Sequence, residues 1–467
     1  MKEKFSDRVQ ALDELLGVGR SFDMIGRDLE ICGRQSRLWV VNGYADDAVL
    51  ERIIAGWQKL SSQEEIQDLE TFVRRHVSSC DAAVETDRDL AVTGVFAGKS
   101  LLMMDGLPGG ILMEAKQFPL RSVAEPDNSK VLRGSHDGFL ENIIKNAALL
   151  RRRIRSPQLT LEHLRTGGRS GADVALCYME GEADKTLVED LRQRIEAIDV
   201  RSLSMTQESL EEALVPKQWY NPFPKVRYTE RPDVATACLM EGDVLLMVDN
   251  SPAVMILPVS VFYFAEEIND YYLPPLVGSY LRLTRLIVLF LTIFVTPLWY
   301  LLAKTPENVH PRLHFLLIED DYFVPLILQL LLVEFIVDVL KLASLNTPSV
   351  LSNSFSMLGA LILGDFAVQS RWLVPEVLVY MAFVAIAGYT QNSYEMGYAC
   401  KLCRVALLLL IWLFDWYGFV AGVVGICLLV ATTKPIAGKG YLYPLLPFDG
   451  KALKAILHRR PISRENT

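Results

Sequence analysis

Five long apolar runs occupy the last 187 residues of this 467-residue chain, whereas the first 280 residues contain almost none. The runs cover residues 281–303, 322–345, 350–368, 374–387 and 405–433. A stretch of about 20 apolar residues spans a bilayer, and a soluble core rarely needs so long a run. The chain is therefore expected to join a large water-soluble region to an all-α polytopic membrane domain with four to five membrane helices.

The distribution of charge follows the same division. Residues 1–280 contain 32 basic and 44 acidic side chains, whereas residues 281–467 contain 15 basic and 12 acidic ones. An acidic soluble region argues against nucleic acid as a partner, because nucleic-acid sites need clustered positive charge. The basic tail at residues 434–467 favours anionic lipid on a cytoplasmic face. Residues 1–7 lack the apolar core of a secretory signal, so the large N-terminal domain is expected to stay cytoplasmic.

An internal repeat organises the soluble region. Residues 98–108 match residues 242–252 at six of eleven positions, with an offset of 144. In each copy a strand-like run ends in Asp-Gly or Asp-Asn, which is a hairpin turn signal, and a second apolar strand follows. Each copy also opens with a short apolar strand that leads into an amphipathic helix. These strands and helices cover residues 38–41, 46–60, 174–178 and 183–198. The pattern predicts two related α/β subdomains.

The predicted organisation places a linker helix between the two subdomains. The expected boundaries are an N-terminal segment at 1–29, subdomain 1 at 30–125, the linker helix at 126–164, subdomain 2 at 165–275, the transmembrane domain at 276–433 and the basic tail at 434–467. The linker helix ends in Arg151, Arg152 and Arg153. These arginines are candidates for an anion or subunit contact. Alternatively, they form a solvated helix end whose cations suit the helix dipole and pair with the acidic domain.

The second apolar run contains side chains that are unusual at bilayer depth: Gln329, Glu334, Asp338 and Lys341. The spacing places Glu334, Asp338 and Lys341 near one face of a helix. A bare charge at the bilayer centre costs about 2.5–3.5 kcal/mol on insertion scales. Two carboxylates on one face therefore line an ion path, or they form a static cluster with Lys or Arg inside the helix bundle. Asp365, near the end of the third run, is a further candidate for the ion path.

The number of membrane crossings does not follow directly from the five runs. A cytoplasmic N-terminal domain and five crossings would put the basic tail outside, whereas the positive-inside rule puts it inside and needs four crossings. One run is then re-entrant or interfacial. The candidates are the second run, with its charged face, and the fifth, which is interrupted at residues 415–418. Irregular segments at membrane depth usually line cavities, which favours a permeation role.

The chain carries no pattern typical of an enzyme. No Ser/His/Asp or Cys/His arrangement stands out, and His310 and His314 are separated by Pro311, which disfavours a helical metal site. We therefore expect no catalytic residues, no metal and no cofactor. The seven cysteines are scattered and odd in number, which indicates reduced thiols.

Several stretches together resemble the spore germinant receptor A-subunit family of endospore-forming bacteria. They are residues 133–139, 151–154, 228–233, 241–242, 270–272 and 441–448, and the likeness covers about residues 10–450. The stretch Arg-Gly-Ser-His-Asp-Gly-Phe at 133–139 is closer to the branch of stage V sporulation protein AF than to the nutrient receptors. The resemblance implies a multi-pass protein of the spore inner membrane that acts in germination. It also implies a ring-like homo-oligomer, with five as a candidate subunit number, a central ion path and small membrane partners.

The leading hypothesis is an oligomeric channel component that releases monovalent cations on germination signalling. Asp270, Tyr271 and Tyr272 precede Pro274-Pro275 and the first apolar run, so they are the predicted coupling hinge between the soluble region and the membrane. Glu334 and Asp338 are the predicted polar face of the ion path. The alternative is a non-conducting receptor or scaffold subunit that organises other germination proteins.

Overall fold

The computed structural model of this chain describes residues 4–61, 66–79, 81–115, 134–166, 171–200, 206–215, 220–267, 269–318, 321–346, 367–391, 393–436 and 440–458. Its contacts divide it into two units. The α/β unit contains Met1–Pro216, Val226–Val259 and Pro435–Gly438. The helical unit contains Lys217–Lys225, Ser260–Lys434 and Lys439–Thr467.

The first copy in the α/β unit is a five-stranded sheet with helices on both faces. Its elements are α1 (Phe5–Leu16), β1 (Met24–Ile31), β2 (Arg34–Val41), α2 (Asp47–Gln58), α3 (Leu69–His76), β3 (Ala82–Glu85), α4 (Arg88–Phe96), β4 (Ser100–Met104) and β5 (Gly110–Met113). The strands are antiparallel in the order β1-β2-β4-β5-β3. Because side chains alternate across a strand, Trp39, Leu101 and Met103 pack with α1 and α4, whereas Leu38 and Leu102 pack with α2 and α3.

The second copy repeats this arrangement. Its elements are α5 (Ile143–Arg153), β6 (Leu159–Thr166), β7 (Ala172–Met179), α6 (Lys185–Glu196), α7 (Gln207–Leu214), β8 (Arg227–Thr229), α8 (Pro232–Met240), β9 (Val244–Val248) and β10 (Val254–Leu257). The strand order, β6-β7-β9-β10-β8, is that of the first copy, and all pairs are again antiparallel. The bounds of α4, β4 and β5 plus 144 give those of α8, β9 and β10. The predicted α/β fold of the N-terminal region is thus present as two sheets.

The structure starts each copy earlier than the sequence analysis placed it. In the first copy, α1 and β1 lie before residue 30, and α1 packs against α4. In the second copy, α5 lies within the predicted linker, residues 126–164, and packs against α8 through Ile143, Ala147 and Leu150. Asn142 caps α5, because its side chain accepts a hydrogen bond from Lys145 N at 2.9 Å. Helix α5 therefore occupies in the second copy the place that α1 has in the first.

Local sequence explains where several helices begin and end. Asp46, Asp87 and Asp184 are N-caps of α2, α4 and α6, and each carboxylate accepts backbone N–H bonds from the first turn. Helix α1 ends at Gly17, which adopts a left-handed conformation with φ 75°. Asp46 and Asp184 begin equivalent helices, so the repeat extends to the capping residues.

The helical unit contains two helices that are long and apolar enough to cross a membrane within the described ranges. Its elements are 3₁₀ turns at Val261–Ala265, Pro306–Asn308 and Pro311–Leu316, and helices α9 (Asn269–Tyr272), α10 (Pro275–Lys304), α11 (Leu326–Asn346), α12 (Ala367–Gln369), α13 (Pro375–Gly388), α14 (Tyr394–Thr432) and α15 (Gly450–Leu457). The two long helices are α10 and α14, with mean hydropathies of 2.4 and 2.0.

The expectation of four to five membrane helices is therefore corrected to two clear apolar spans among the described residues. Helix α11 is apolar overall, but it contains three charged side chains, Glu334, Asp338 and Lys341, which are costly at bilayer depth. Helix α13 has only 14 residues, which is short for a 30 Å hydrocarbon layer. Most of the third run, from 350 to 366, lies outside the described residues.

Helix α14 is a hairpin of two helices. Asp415 interrupts it with φ 51° and ψ −128°, outside the right-handed helical region. A Cβ added to Gly418 would overlap the backbone of Leu410, and one added to Gly422 would overlap the side chain of Leu407. The later half thus pairs with progressively earlier residues of the first half, so the two halves run antiparallel. The fifth apolar run therefore turns back on itself at Asp415.

Candidate functional site: ion-pair clusters of the two units

The acidic face predicted on the second apolar run lies against two cations of α14. Glu334 is 4% exposed, and its Oε1 accepts a hydrogen bond from Arg404 Nε at 2.6 Å. Lys401 Nζ lies 3.4 Å from Glu334 Oε2, and Arg404 Nη1 donates to the carbonyl of Thr292 on α10 at 2.7 Å. A buried carboxylate with two cationic partners avoids the cost of an isolated charge at this depth. We call Glu334, Asp338, Lys401 and Arg404 the helix-bundle cluster.

Asp338 has a different environment from Glu334. Its Oδ2 pairs with Lys401, and its side chain is 30% exposed. Its Oδ1 is buried and has no hydrogen-bond partner among the residues that the structure describes. Lys341, one turn further along α11, lies over the rings of Tyr389 and Tyr398, with its Nζ 5.2 and 5.8 Å from the ring centroids. Asp338 is thus the acid of this cluster that retains free acceptor capacity.

Gln329 and Asp365 were also predicted for the ion path, and the structure describes only the first of them. Gln329 is fully buried, its Nε2 donates to the carbonyl of Val324 at 2.7 Å, and its Oε1 accepts from Val374 N at 2.9 Å. Both ends of this amide are therefore used in joining α11 to the segment before α13. Asp365 lies outside the described residues.

The predicted coupling hinge contains a second charged cluster. Asp270 is fully buried, and both its carboxylate oxygens accept from Arg285 of α10, at 2.7 and 2.8 Å. Arg282 lies 3.5 Å from Asp270, and Glu266 and Glu267 pair with Arg282 and Arg285 at 3.1 and 2.7 Å. We call these five residues the junction cluster. Tyr272 is partly exposed, and the side chain of Tyr271 lies outside the described set.

The junction cluster also reaches the C-terminal segment of the helical unit. Arg282 Nη1 donates to the carbonyl of Ile456 in α15 at 3.2 Å. Within the same unit, Val261 N donates to the carbonyl of Tyr441 at 3.0 Å. The start of α10 is therefore held both by the acidic segment before it and by the end of the chain. This arrangement can transmit a displacement of that acidic segment to α10.

The arginines at the end of α5 are engaged within the α/β unit. Arg151 is buried and donates to both carboxylate oxygens of Asp23, at 2.9 and 3.1 Å. Arg153 pairs with Asp137 at 2.6 Å, and Arg152 is exposed. Burial alone would raise the pKa of Asp137, but hydrogen bonds from Ser135 and Arg153 lower its pKa below the ordinary value. Of the three arginines, Arg151 has its charge most fully committed to a partner in the same chain.

Sequence reasoning missed the basic partners of these acids. Lys401 and Arg404 immediately precede the fifth apolar run, and their three-residue spacing places them on one helix face. Arg282 and Arg285 lie at the start of the first apolar run, where the positive-inside rule accounts for cations without giving them an acidic partner. The signal that could have paired them is the acidic group at Glu266, Glu267 and Asp270, 12 to 19 residues earlier in the chain.

These features define a class of protein with a duplicated α/β region followed by apolar helices that contain paired charges. The sequence matches the family described as Bacillus/Clostridium GerA spore germination protein over residues 10–467. This chain therefore belongs to the GerA family of spore germination proteins.

Two relatives from Bacillus subtilis agree with this assignment. The chain is 34% identical to stage V sporulation protein AF of Bacillus subtilis (strain 168), over 98% of this chain and 91% of the relative. It is 27% identical to spore germination protein KA of the same organism, over 95% of this chain and 82% of the relative. A crystal structure of the N-terminal domain of the A subunit of the Bacillus megaterium spore germinant receptor GerK3 matches 55% of this chain and 95% of that domain, at 25% identity and a TM-score of 0.42.

Proposed function

We propose that this chain is a multi-pass subunit of a homo-oligomeric channel in the spore inner membrane that passes monovalent cations on germination signalling. The observation that supports this proposal is the environment of the Asp338 carboxylate. Asp338 is partly exposed on an apolar helix and keeps one buried carboxylate oxygen without a hydrogen-bond partner among the described residues. Such an oxygen is costly unless an ion or a neighbouring group completes it. A passing cation would be the missing partner of this carboxylate oxygen.

The other predicted residues have supporting parts in this proposal. Glu334 pairs with Lys401 and Arg404 and so offsets one of the two positive charges beside Asp338. Gln329 fixes the start of α11. Asp365, which lies outside the described residues, remains a proposed member of the ion path. A ring of identical subunits, for which five is a candidate number, would bring several copies of Asp338 around one passage.

Signal transfer is proposed to run through the junction cluster. Asp270 joins the segment before α10 to two arginines of α10, so a movement of that segment shifts the helix that leads to Thr292 and the helix-bundle cluster. The N-terminal domain would lie in the cytoplasm, with four or five crossings in total. The basic residues Lys451 and Lys454 of α15 would contact anionic lipid, and other germination membrane proteins would be partners.

A non-conducting receptor or scaffold subunit is the second candidate. Glu334, Arg404 and Lys401 form their pairs within a single chain, and a buried charge network of this kind stabilises one arrangement of helices without conducting ions. In that case the clusters would fix the shape of a surface that other germination proteins recognise.

Ion flux from proteoliposomes distinguishes the two functions. We expect potassium efflux from vesicles with the purified chain, and we expect Asp338→Asn to reduce it at least about tenfold, which corresponds to 1.4 kcal/mol. Ser370→Ala, in an exposed turn of the helical unit, is the matched control. Size-exclusion chromatography checks that each variant assembles normally.

Two results would contradict the channel. Normal efflux from an assembled Asp338→Asn, Glu334→Gln double variant would remove these acids from the path. No efflux from the wild-type chain under any stimulus, with intact assembly, would favour the scaffold.

A further inference from the structure

The duplication provides an internal comparison for every cavity in the α/β unit. Helix α4 and strands β4 and β5 correspond to α8, β9 and β10 at a constant offset of 144. Ala91, Leu101 and Met103 of the first copy therefore correspond to Ala235, Leu245 and Met247 of the second. A cavity that is present in one copy and filled in the other is not required by the fold.

The first copy contains such a cavity between α1, α4 and the sheet, with a volume of about 200 Å³. Its floor is apolar and consists of the buried side chains of Leu12, Ala91, Leu101 and Met103. Its rim is charged and consists of Arg8, Arg88, Glu85 and Asp87. We call this cavity the first-copy pocket. It combines an apolar base with charged groups at the opening, so a small ligand with an apolar body and a polar end would match both parts.

The two rim arginines keep several guanidinium N–H donors from which no protein group among the described residues accepts a hydrogen bond. Arg8 donates to the carbonyls of Leu107 and Gly109 at 3.1 and 3.3 Å, and Arg88 donates to the carbonyl of Ala11 at 2.9 Å. A guanidinium has five N–H groups, so both arginines keep several donors. The two rim acids, Glu85 and Asp87, accept backbone N–H bonds through one oxygen each and keep the other oxygen as an acceptor.

Each rim acid uses one oxygen in this way. Glu85 Oε1 accepts from the N–H groups of Thr86 and Asp87, both at 2.9 Å. Asp87 Oδ1 accepts from Asp89 N and Leu90 N at 2.8 and 3.2 Å. The two acids balance the charge of the two arginines, so the preference for an anionic group comes from the N–H donors that remain uncommitted, three on Arg8 and four on Arg88.

The corresponding space in the second copy is occupied by protein. Phe139 is buried in one apolar cluster with Met247 and Val254. Its N–H donates to the carbonyl of Glu230, the counterpart of Thr86, at 2.8 Å. The counterpart of Asp87 is Arg231, which is buried and donates to Asp233 and to the carbonyl of Ser135. Val254 also corresponds to Gly110, so the second copy has a larger side chain at the pocket wall.

We propose that the first-copy pocket binds a small organic carboxylate with a short apolar body. Water occupies about 30 Å³ per molecule in the liquid, so the volume corresponds to about six or seven waters, which suits a ligand of fewer than about ten heavy atoms. The carboxylate would accept from Arg8 and Arg88, and the apolar body would contact Leu12, Leu101 and Met103. This site lies in the α/β unit and does not depend on the proposed channel.

Methyl NMR of the full chain in detergent micelles tests the site without any measurement of flux. With ¹³C-methyl methionine, pentanoate should shift the Met103 resonance saturably at millimolar concentration, and the Met247 resonance should not move. Met103→Leu and Met247→Leu assign the two signals. Pentan-1-ol and pentylammonium have the same apolar body, and we expect each to bind at least tenfold more weakly than pentanoate.

Three variants complete the test. Arg88→Met should weaken pentanoate binding at least tenfold, whereas Arg52→Met, which removes an exposed arginine of α2, should leave it unchanged. Gly110→Val introduces the residue of the second copy and should abolish the shift. The proposal is overturned by an unshifted Met103 at saturating pentanoate, by equal shifts of Met103 and Met247, or by pentylammonium binding as well as pentanoate.

Discussion

At the scale of single residues, Asp23 and Arg151 fasten the two copies of the α/β unit to each other. Asp23 precedes β1 in the first copy, and Arg151 lies on α5 in the second. Their side chains are 0% and 1% exposed, and two hydrogen bonds join them. The guanidinium also lies 5.2 Å from the ring centroid of Phe96. A pair this deeply buried fixes orientation, because any displacement would leave one charge without its partner.

Asp23→Asn is expected to destabilise the α/β unit by about 3–5 kcal/mol, because Arg151 would then be a buried charge without a carboxylate partner. Urea unfolding followed by near-UV circular dichroism measures the loss. Arg74→Gln is the control, because Arg74 and Glu70 form an exposed pair at 3.8 Å and such pairs contribute about 0–1 kcal/mol. A loss below about 1 kcal/mol for Asp23→Asn would mean that the pair does not hold the copies together.

Asp137 gives the stability a dependence on pH. Its pKa in the folded chain is lowered, so its contribution is present above the unfolded value, about 3.9, and is lost as the pH falls. Asp137→Asn should therefore be less stable than the wild type at pH 7, and the difference should shrink below about pH 4. Unfolding midpoints between pH 7 and 3 measure this, with Asp105→Asn in an exposed turn as control. A constant difference across that range would exclude a role for this carboxylate.

The sequence predicted which acids share a helix face, but it could not predict what lies opposite them. Glu334 and Asp338 are four residues apart, and helical periodicity alone aligns them. Their partners Lys401 and Arg404 are 63 to 70 residues further along the chain. Nothing local fixes which apolar helices pack together, because lipid-facing and helix-facing positions are both apolar. The choice between an ion path and a static cluster was left open for this reason.

At the scale of elements, the repeated strands and hairpins were the predictable part of the fold. The apolar runs at 38–41 and 174–178 lie in β2 and β7, and the helices predicted after them are α2 and α6. Strands β1 and β6 were not predicted, because polar residues interrupt their apolar pattern. Helix α5 was assigned as a linker, since the identities of the repeat are concentrated at 98–108 and no local signal shows that α1 and α5 are equivalent.

The hairpin of α14 depends on small residues at its closest approach. A Cβ on Gly418 would overlap the Leu410 backbone, which has no rotamer to change, whereas a Cβ on Gly425 would meet nothing within 4 Å. Gly418→Ala should therefore cost about 1–3 kcal/mol and lower the Tm of the detergent-solubilised protein by several degrees. Gly425→Ala is the matched control and should leave the Tm nearly unchanged. Equal Tm values for the two variants would be inconsistent with an antiparallel hairpin.

At the scale of the whole molecule, the hairpin bears on the count of crossings that the sequence left at four or five. The first half of α14 ends beside the end of α10, where Lys304 Nζ contacts the carbonyl of Trp412 at 3.0 Å and Asp415 at 2.5 Å. The second half then returns. After it, Tyr441 accepts a hydrogen bond from Val261, just before the start of α10. If the hairpin enters the bilayer and returns, we predict that the basic tail lies on the side of the membrane at which α10 begins.

Cysteine labelling in sealed vesicles tests this return directly. Lys451→Cys in the tail should react with a membrane-impermeant maleimide from the same side as Arg52→Cys in the α/β unit. Glu307→Cys, just beyond the far end of α10, should react from the opposite side, because α10 has 30 residues and spans about 45 Å. The wild type, which has its native cysteines, gives the background. If Lys451→Cys reacted together with Glu307→Cys, the fifth run would cross once, and the positive-inside argument for the tail would fail with it.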